Sequence, residues 1–329
     1  MTQIKYWIWL AGILLLGLVA RCLVAFTPLA VFNVNSFGFA WDISTFIDWM
    51  ITIQQSGFHA YQVDPSINYP PVFADILGGL AWLGKIFSGG DYSGGLKLAI
   101  VLIKLPAILA DLGVAATLAW CGRLWFGQRI GLWAAALYLM IPVTWYNSAI
   151  WGQVDSISAL FMLLAVVFLV QKRPEVAALF TVLAILTKPQ GVLVGVVLAP
   201  IFIGQLIRKE INWWRLVTTL LSAFATFAAV ATPWQLRTYN TGWAAQVPVI
   251  GDAIGLFEQA KSTAGLFQVL TANAFNIWQL AGDAPMARQY QLGMAAWEYD
   301  DYQVFGIPAY WIGLVLFIGV CLLVVVYLV

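Results

Sequence analysis

The chain has 329 residues, of which 62% are hydrophobic and only 9% charged; sixteen Lys and Arg against fifteen Asp and Glu leave a net charge of +1. A soluble globular domain carries about 25% charged residues, and a nucleic-acid binder carries a basic field, so both classes are excluded, together with a disordered regulator and a secreted disulfide scaffold. Aromatics make up 15% of the residues, including 17 Trp, as expected of belts at two membrane interfaces. The composition is that of a multi-pass membrane protein.

Residues 6–26 are the first stretch with the roughly 20 apolar residues that a bilayer crossing needs. The stretch is too long for a signal-peptide core and has no small-residue cleavage site after it, so it reads as a retained span. Residues 42–55 follow, with apolar side chains at 43, 46, 47, 50, 51 and 53. That stripe predicts an amphipathic helix lying flat at the membrane surface. Residues 70–87 are apolar enough to cross, but they contain Asp75, Gly78, Gly79 and Gly84 and open on Tyr69-Pro70-Pro71. Further spans are predicted over 97–121, 129–147, 153–171, 174–187, 190–207, 213–234 and 306–328, of which 174–187 is short.

Charge decides the ambiguous stretch through the positive-inside rule. If 70–87 stays out of the hydrocarbon, Lys5, Arg123, Arg129, Lys172, Arg173, Arg208, Lys209 and Arg215 share one side, accompanied only by Glu175 and Glu210. If it crosses, the short basic turns face away from Lys5. The expectation is therefore one all-α polytopic domain over 1–329, with about eight transmembrane helices and a cytoplasmic N-terminus. Two external segments, 27–96 and 235–305, carry interfacial helices. No charged cap follows the last span, so a C-terminal continuation beyond Val329 is expected. A bacterial plasma membrane with an extracytoplasmic site fits this topology, and the endoplasmic reticulum is the eukaryotic equivalent.

Polar islands fall on the external side: Trp41-Asp42 with Asp48-Trp49; Asn68-Tyr69-Pro70-Pro71; Trp151-Gly152-Gln153-Val154-Asp155-Ser156; Thr187-Lys188-Pro189-Gln190-Gly191; and, in the last loop, Gly265-Leu266-Phe267 with Asn273-Ala274-Phe275-Asn276-Ile277-Trp278. Together they describe a polar, aromatic-lined cavity suited to a ligand that is half lipid and half polar. Each also has a plainer reading. Asp42 and Asp155 suit helix N-caps, the double proline suits a rigid turn, and Lys188 suits a snorkelling terminal lysine. Deeper in the spans, Asp111 should face the bundle interior with a partner. Lys104, seven residues earlier on the same face, is the candidate. Arg21 lies near the outer end of the first span, where it either snorkels or meets an anionic headgroup. Cys22, Cys121, Cys321 and the single His59 show no metal or redox spacing.

In this order the islands resemble membrane-embedded glycosyltransferases of the GT-C class. The resemblance is strongest to the dolichyl-phosphate-glucose-dependent α-1,3-glucosyltransferases of N-glycan precursor assembly and their bacterial relatives. It is carried by Asp42 with the aromatic-rich helix after it, Tyr69-Pro70-Pro71, Ala110-Asp111-Leu112, the turn 152–156, and Gly265-Leu266-Phe267 with Asn276-Ile277-Trp278, and it covers about 6–305. It implies a GT-C-like bundle and a hexose donor linked through phosphate to a polyprenol. It also implies an acceptor hydroxyl, on a lipid-linked saccharide or another molecule, glycosylated on the extracytoplasmic face.

Such a reaction needs one carboxylate to take the acceptor proton and cations or N–H donors to meet the charge growing on the phosphate. Asp42 is the expected base, and direct displacement then inverts the sugar carbon. Lys188 is the expected phosphate partner, with Arg21 and Arg237 behind it. Gln153, Asp155 and Gln190 are expected to hold hydroxyls, and Tyr69 or Trp151 to stack on the sugar. The first loop has no Asp-x-Asp, and Asp48 lies six residues from Asp42, so neither a metal nor a cofactor is expected. Two other classes remain open: a flippase or transporter for lipid-linked sugars, and a non-catalytic subunit of a glycosylation complex.

Overall fold

The computed structural model describes residues 2–26, 40–88, 96–236, 242–266, 303–304 and 306–328. They form an all-α membrane protein, divided into two compact units at Leu256/Phe257. Five stretches are long and apolar enough to cross a bilayer: Gln3–Ala25, Ala99–Trp125, Pro189–Ile207, Trp214–Trp234 and Tyr310–Leu328. Two further apolar helices, Asp155–Val170 and Pro174–Thr187, are shorter. At 1.5 Å per residue the 14-residue Pro174–Thr187 is about 21 Å long, against about 30 Å of hydrocarbon.

In the first unit the helices are α1 (Gln3–Phe26), α2 (Ala40–Ser56), the single turn α3 (Ala60–Val63), α4 (Pro71–Ser88), α5 (Leu96–Trp125), α6 (Gln128–Met140), the single turn α7 (Pro142–Trp145), α8 (Asp155–Val170), α9 (Pro174–Thr187), α10 (Gly195–Ile207) and α11 (Trp214–Ala231), with α12 (Ile250–Leu266) beginning before the boundary. The second unit holds α13 (Ala309–Leu328), preceded by a two-residue antiparallel ladder between Gln303–Val304 and Ile307–Pro308.

The stretch 129–147 is not one continuous helix. Pro142 has no N–H and disfavours helical ψ in the residue before it. Ile141 is accordingly extended at ψ 121°, and α6 ends at Met140. The chain resumes as α7 and then a wider π-type turn, Tyr146–Trp151. Before the break, α5 and α6 pack backbone to backbone, since a Cβ on Gly122 would lie 2.6 Å from Gly131 Cα.

The amphipathic helix exists, but its stripe faces protein rather than a lipid surface. Ile43, Phe46, Ile47, Trp49, Met50 and Ile53 are all buried in one cluster with Phe73, Ala74, Leu77, Leu80 and Ala81 of α4 and Ile100, Leu102 and Ile103 of α5. An apolar stripe is equally compatible with a core, and here α4 and α5 provide one. Helix α4, the ambiguous stretch, is not among the segments long and apolar enough to cross.

Side-chain contacts define the two ends of the bundle. At one end the Arg123 guanidinium lies 5.0 Å from the centre of the Tyr6 ring, and Trp120 meets Phe168 at 6.2 Å. At the same ends of α8 and α9, Arg215 pairs with Glu175 at 2.5 Å, and Glu210 accepts from Lys172 at 3.2 Å and Arg208 at 3.1 Å. The two acids among the basic turns thus tie those turns to each other. Described residues of the first four polar islands, among them Asp42, Tyr69, Gln153, Asp155 and Lys188, gather at the opposite ends of α8 and α9.

Candidate functional site

Asp42 sits in the first turn of α2, where the positive end of the helix dipole favours a carboxylate. It is half-buried, and its Oδ2 accepts two hydrogen bonds, from Trp151 Nε1 at 2.5 Å and Gln153 Nε2 at 2.7 Å. No described side chain donates to its Oδ1. One oxygen is therefore fixed, and the other keeps its lone pairs for a ligand.

The turn that presents Trp151 and Gln153 is a product of the Pro142 break. After the π-type turn the Asn147 carbonyl accepts from the amides of both Gly152 (3.0 Å) and Gln153 (3.1 Å). Gly152 is left-handed at φ 82°, and a Cβ there would lie 2.6 Å from Ile43 Cδ1 on α2. The left-handed conformation calls for glycine, and any Cβ there would also have to displace the end of the Ile43 side chain.

Gln153 is buried, and its amide is engaged at both ends: its Oε1 accepts from Tyr69 Oη at 3.1 Å. The Tyr69 ring packs among Phe46, Trp49 and Phe73 at 5.4–5.6 Å, and its carbonyl accepts from Tyr61 Oη at 2.7 Å. Burial pushes the Tyr69 phenol above its ordinary pKa, so it stays a donor at neutral pH.

Lys188 ends α9. It precedes Pro189 and is extended at φ −147°, ψ 138°, as a residue before proline must be. Its Nζ lies 2.5 Å from Asp155 Oδ1 and 5.4 Å from the Tyr69 ring centre. Asp155 Oδ2 accepts from Asn147 Nδ2 at 2.9 Å. Burial works against the ammonium, but the neighbouring Tyr69 and Asp155 outweigh it and hold the Lys188 pKa above its usual value. The cation has three donors; one goes to Asp155, and the Tyr69 hydroxyl is a second hydrogen-bond partner.

Six of the sequence-derived site residues thus meet at one place: Asp42, Tyr69, Trp151, Gln153, Asp155 and Lys188. Gln153 bonds directly to Asp42, and Tyr69 bonds in turn to Gln153, so both are also engaged with protein. Gln190 is exposed, two residues beyond Lys188. Arg237, Phe267 and the 273–278 island lie outside the described residues.

Arg21 is elsewhere. It is 1% exposed, and each guanidinium nitrogen has a protein partner: Nε pairs with Asp111 Oδ2 at 2.9 Å, Nη1 donates to Leu139 O at 3.2 Å, and Nη2 donates to Thr144 Oγ1 at 3.0 Å. With four hydrogen bonds to protein and so little of its surface exposed, the guanidinium is buried in the bundle interior and does not reach toward a headgroup. Asp111 accordingly pairs with Arg21, ninety residues away, and not with Lys104. Lys104 Nζ donates instead to Ala149 O at 2.9 Å. The sequence reading also missed Asn147 and Ser148, and placed Ser156 in the turn without its bond to Asp111. The visible signal was two consecutive polar residues, Asn147-Ser148, at the end of an apolar run.

A separate open cavity of about 420 Å³ lies between α2 and α4, lined among others by Gln54, Phe58, Asp75, Lys85 and Trp234. Trp234 Nε1 donates to Asp75 Oδ1 at 2.9 Å. Desolvation raises the Asp75 pKa to about 6, against the smaller opposing effect of that hydrogen bond. Among the described residues no three His, Cys, Asp or Glu side chains gather as a metal site. Compared with known proteins, the chain matches no family model and no curated protein.

Proposed function

We propose that the protein is a membrane glycosyltransferase of the GT-C type. In this reading it moves a hexose from a polyprenyl-phosphate donor to an acceptor hydroxyl on the extracytoplasmic face. The observation that carries the proposal is the geometry of Asp42, a carboxylate with one oxygen pinned by two N–H donors and the other open, beside a cation already shared with Asp155. The fold belongs to the same reading. Eight spans with the N-terminus inside, the shorter α8 and α9 among them and the broken α6–α7 counted as one, put every basic turn in the cytoplasm. The Asp42 cluster is then outside, with α2 and α4 at the interface.

The acceptor oxygen attacks the anomeric carbon from the side opposite the phosphate. The bond from that carbon to the phosphate oxygen breaks, and the sugar is inverted. The acceptor proton passes to Asp42 Oδ1. The departing phosphate carries away the electron pair, and its growing charge is met by the Lys188 ammonium. Trp151 and Gln153 keep Asp42 from rotating as it gains the proton.

Asp42→Asn keeps the shape and an acceptor for Trp151 and Gln153 but cannot take a proton. In purified protein given labelled polyprenyl-phosphate hexoses, transfer is expected to fall by at least about 100-fold, with donor binding retained. Turnover equal to wild type removes Asp42 as the base. Translocation of the donor without transfer, by the unaltered protein in vesicles, would replace the enzyme reading with a flippase.

A further inference from the structure

We infer that the membrane-buried Arg21–Asp111 pair is the positioning element of the candidate site: through Ser148 and Ser156 it fixes both ends of the turn that lays Trp151 and Gln153 onto Asp42. The kinetic consequence rests on the glycosyl-transfer reading; the structural one does not.

Asp111 is fully buried, and each of its oxygens accepts two hydrogen bonds. Oδ2 takes Arg21 Nε at 2.9 Å and Ser148 Oγ at 2.6 Å; Oδ1 takes Tyr138 Oη at 2.9 Å and Ser156 Oγ at 2.6 Å. Ser148 lies three residues before Trp151 and Ser156 three residues after Gln153. One carboxylate therefore holds the turn from both sides, and the side chains it positions are the two donors on Asp42.

The cations complete the arrangement. The Pro142 break leaves carbonyls near it without their helical N–H partners, which in a membrane must be satisfied by protein. Arg21 donates to Leu139 O and to Thr144 Oγ1, on the two sides of that break, and Lys104 donates to Ala149 O inside the π-type turn. A buried ion pair is a poor source of stability compared with well-packed apolar residues, and an ionised group within a span is costly. Here the pair supplies what apolar packing does not: four directional bonds on one rigid group, which set the turn's position relative to α2. Misplacement by about 1 Å near a reacting group costs on the order of 100-fold in rate.

Removing Asp111 itself risks the fold, so the test removes only the tethers, in the double variant Ser148→Ala, Ser156→Ala, which keeps the Arg21–Asp111 and Tyr138–Asp111 bonds. Amide hydrogen exchange in detergent and steady-state transfer are measured on the full chain. Exchange is expected to accelerate over 147–156, where the Gly152 and Gln153 amides are read, and to stay unchanged elsewhere. Turnover should fall tenfold or more while the donor KM stays within about twofold. Unchanged exchange over 147–156 overturns the inference, as does acceleration across every span, the mark of general loosening. Faster local exchange with unchanged turnover also overturns it, by reducing the network to scaffolding. If the unaltered protein transfers no polyprenyl-phosphate hexose, the glycosyl-transfer reading fails by itself. The exchange pattern then decides the tether: local acceleration supports it and no change removes it.

Discussion

Two polar clusters in this bundle use the same chemistry to opposite ends. Around Asp111, each nitrogen of the guanidinium and each oxygen of the carboxylate has a protein partner, and both groups are buried. Around Asp42, one carboxylate oxygen is left open, the Lys188 side chain keeps 16% of its surface exposed, and that of Asp155 keeps 48%. A closed network can only hold something in place. An open one has capacity for a ligand. The two are joined by a turn of six residues, Trp151–Ser156, so the rigid cluster sits directly behind the receptive one.

The sharpest way to break this contrast is to open the closed cluster. Arg21→Ala leaves Asp111 as a buried carboxylate without its cation. Loss of one partner of a buried pair costs about 3–5 kcal/mol, and thermal unfolding in detergent is expected to register a loss of that order. A variant that melts like wild type would show that water or Lys104 takes over, and the cluster would not be closed in the sense argued here.

A smaller effect is expected from the open cluster. Lys188→Gln preserves length and a donor but removes the charge that is to meet the phosphate. Hydrogen bonds to charged groups are worth about 1.5–3 kcal/mol, so affinity for a polyprenyl-phosphate donor should fall roughly 10- to 100-fold, measured by titrating binding. Stability should change little, because the ammonium is partly exposed and Asp155 faces solvent. Unaltered donor affinity would move the phosphate away from Lys188.

The contrast also explains which parts could be read in the sequence. In a chain with 9% charge every polar island stands out, and six of the residues singled out for that reason do meet: Asp42, Tyr69, Trp151, Gln153, Asp155 and Lys188. Which of them touches which was not legible. Spacing on one helix reports a shared face, which is why Asp111 suggested Lys104; the actual partner comes from α1, and only packing brings α1 beside α5 and α6. The stripe of α2 was visible, but not whether lipid or protein would cover it. The break in 129–147 was foreseeable from Pro142, yet hydropathy alone ran straight through it.

The smallest expected effect concerns a third carboxylate, and it works through pH. Asp75 is exposed as a residue, but its Oδ1 is drawn to Trp234, and its pKa is raised to about 6 from an ordinary 3.8. The folded chain then holds a proton between about pH 4 and 6 that the unfolded chain has released. Stability therefore declines as pH rises through that window, and above it the ionised form costs the fold a constant amount. Solvent screening of so open a group limits that cost to about 1 kcal/mol or less. Asp75→Asn retains an acceptor for Trp234 and abolishes the titration. Its melting temperature in detergent should match wild type at pH 4 and exceed it slightly at pH 7. If the two curves instead run parallel from pH 4 to 7, the cavity between α2 and α4 leaves Asp75 as well solvated as a carboxylate in the unfolded chain.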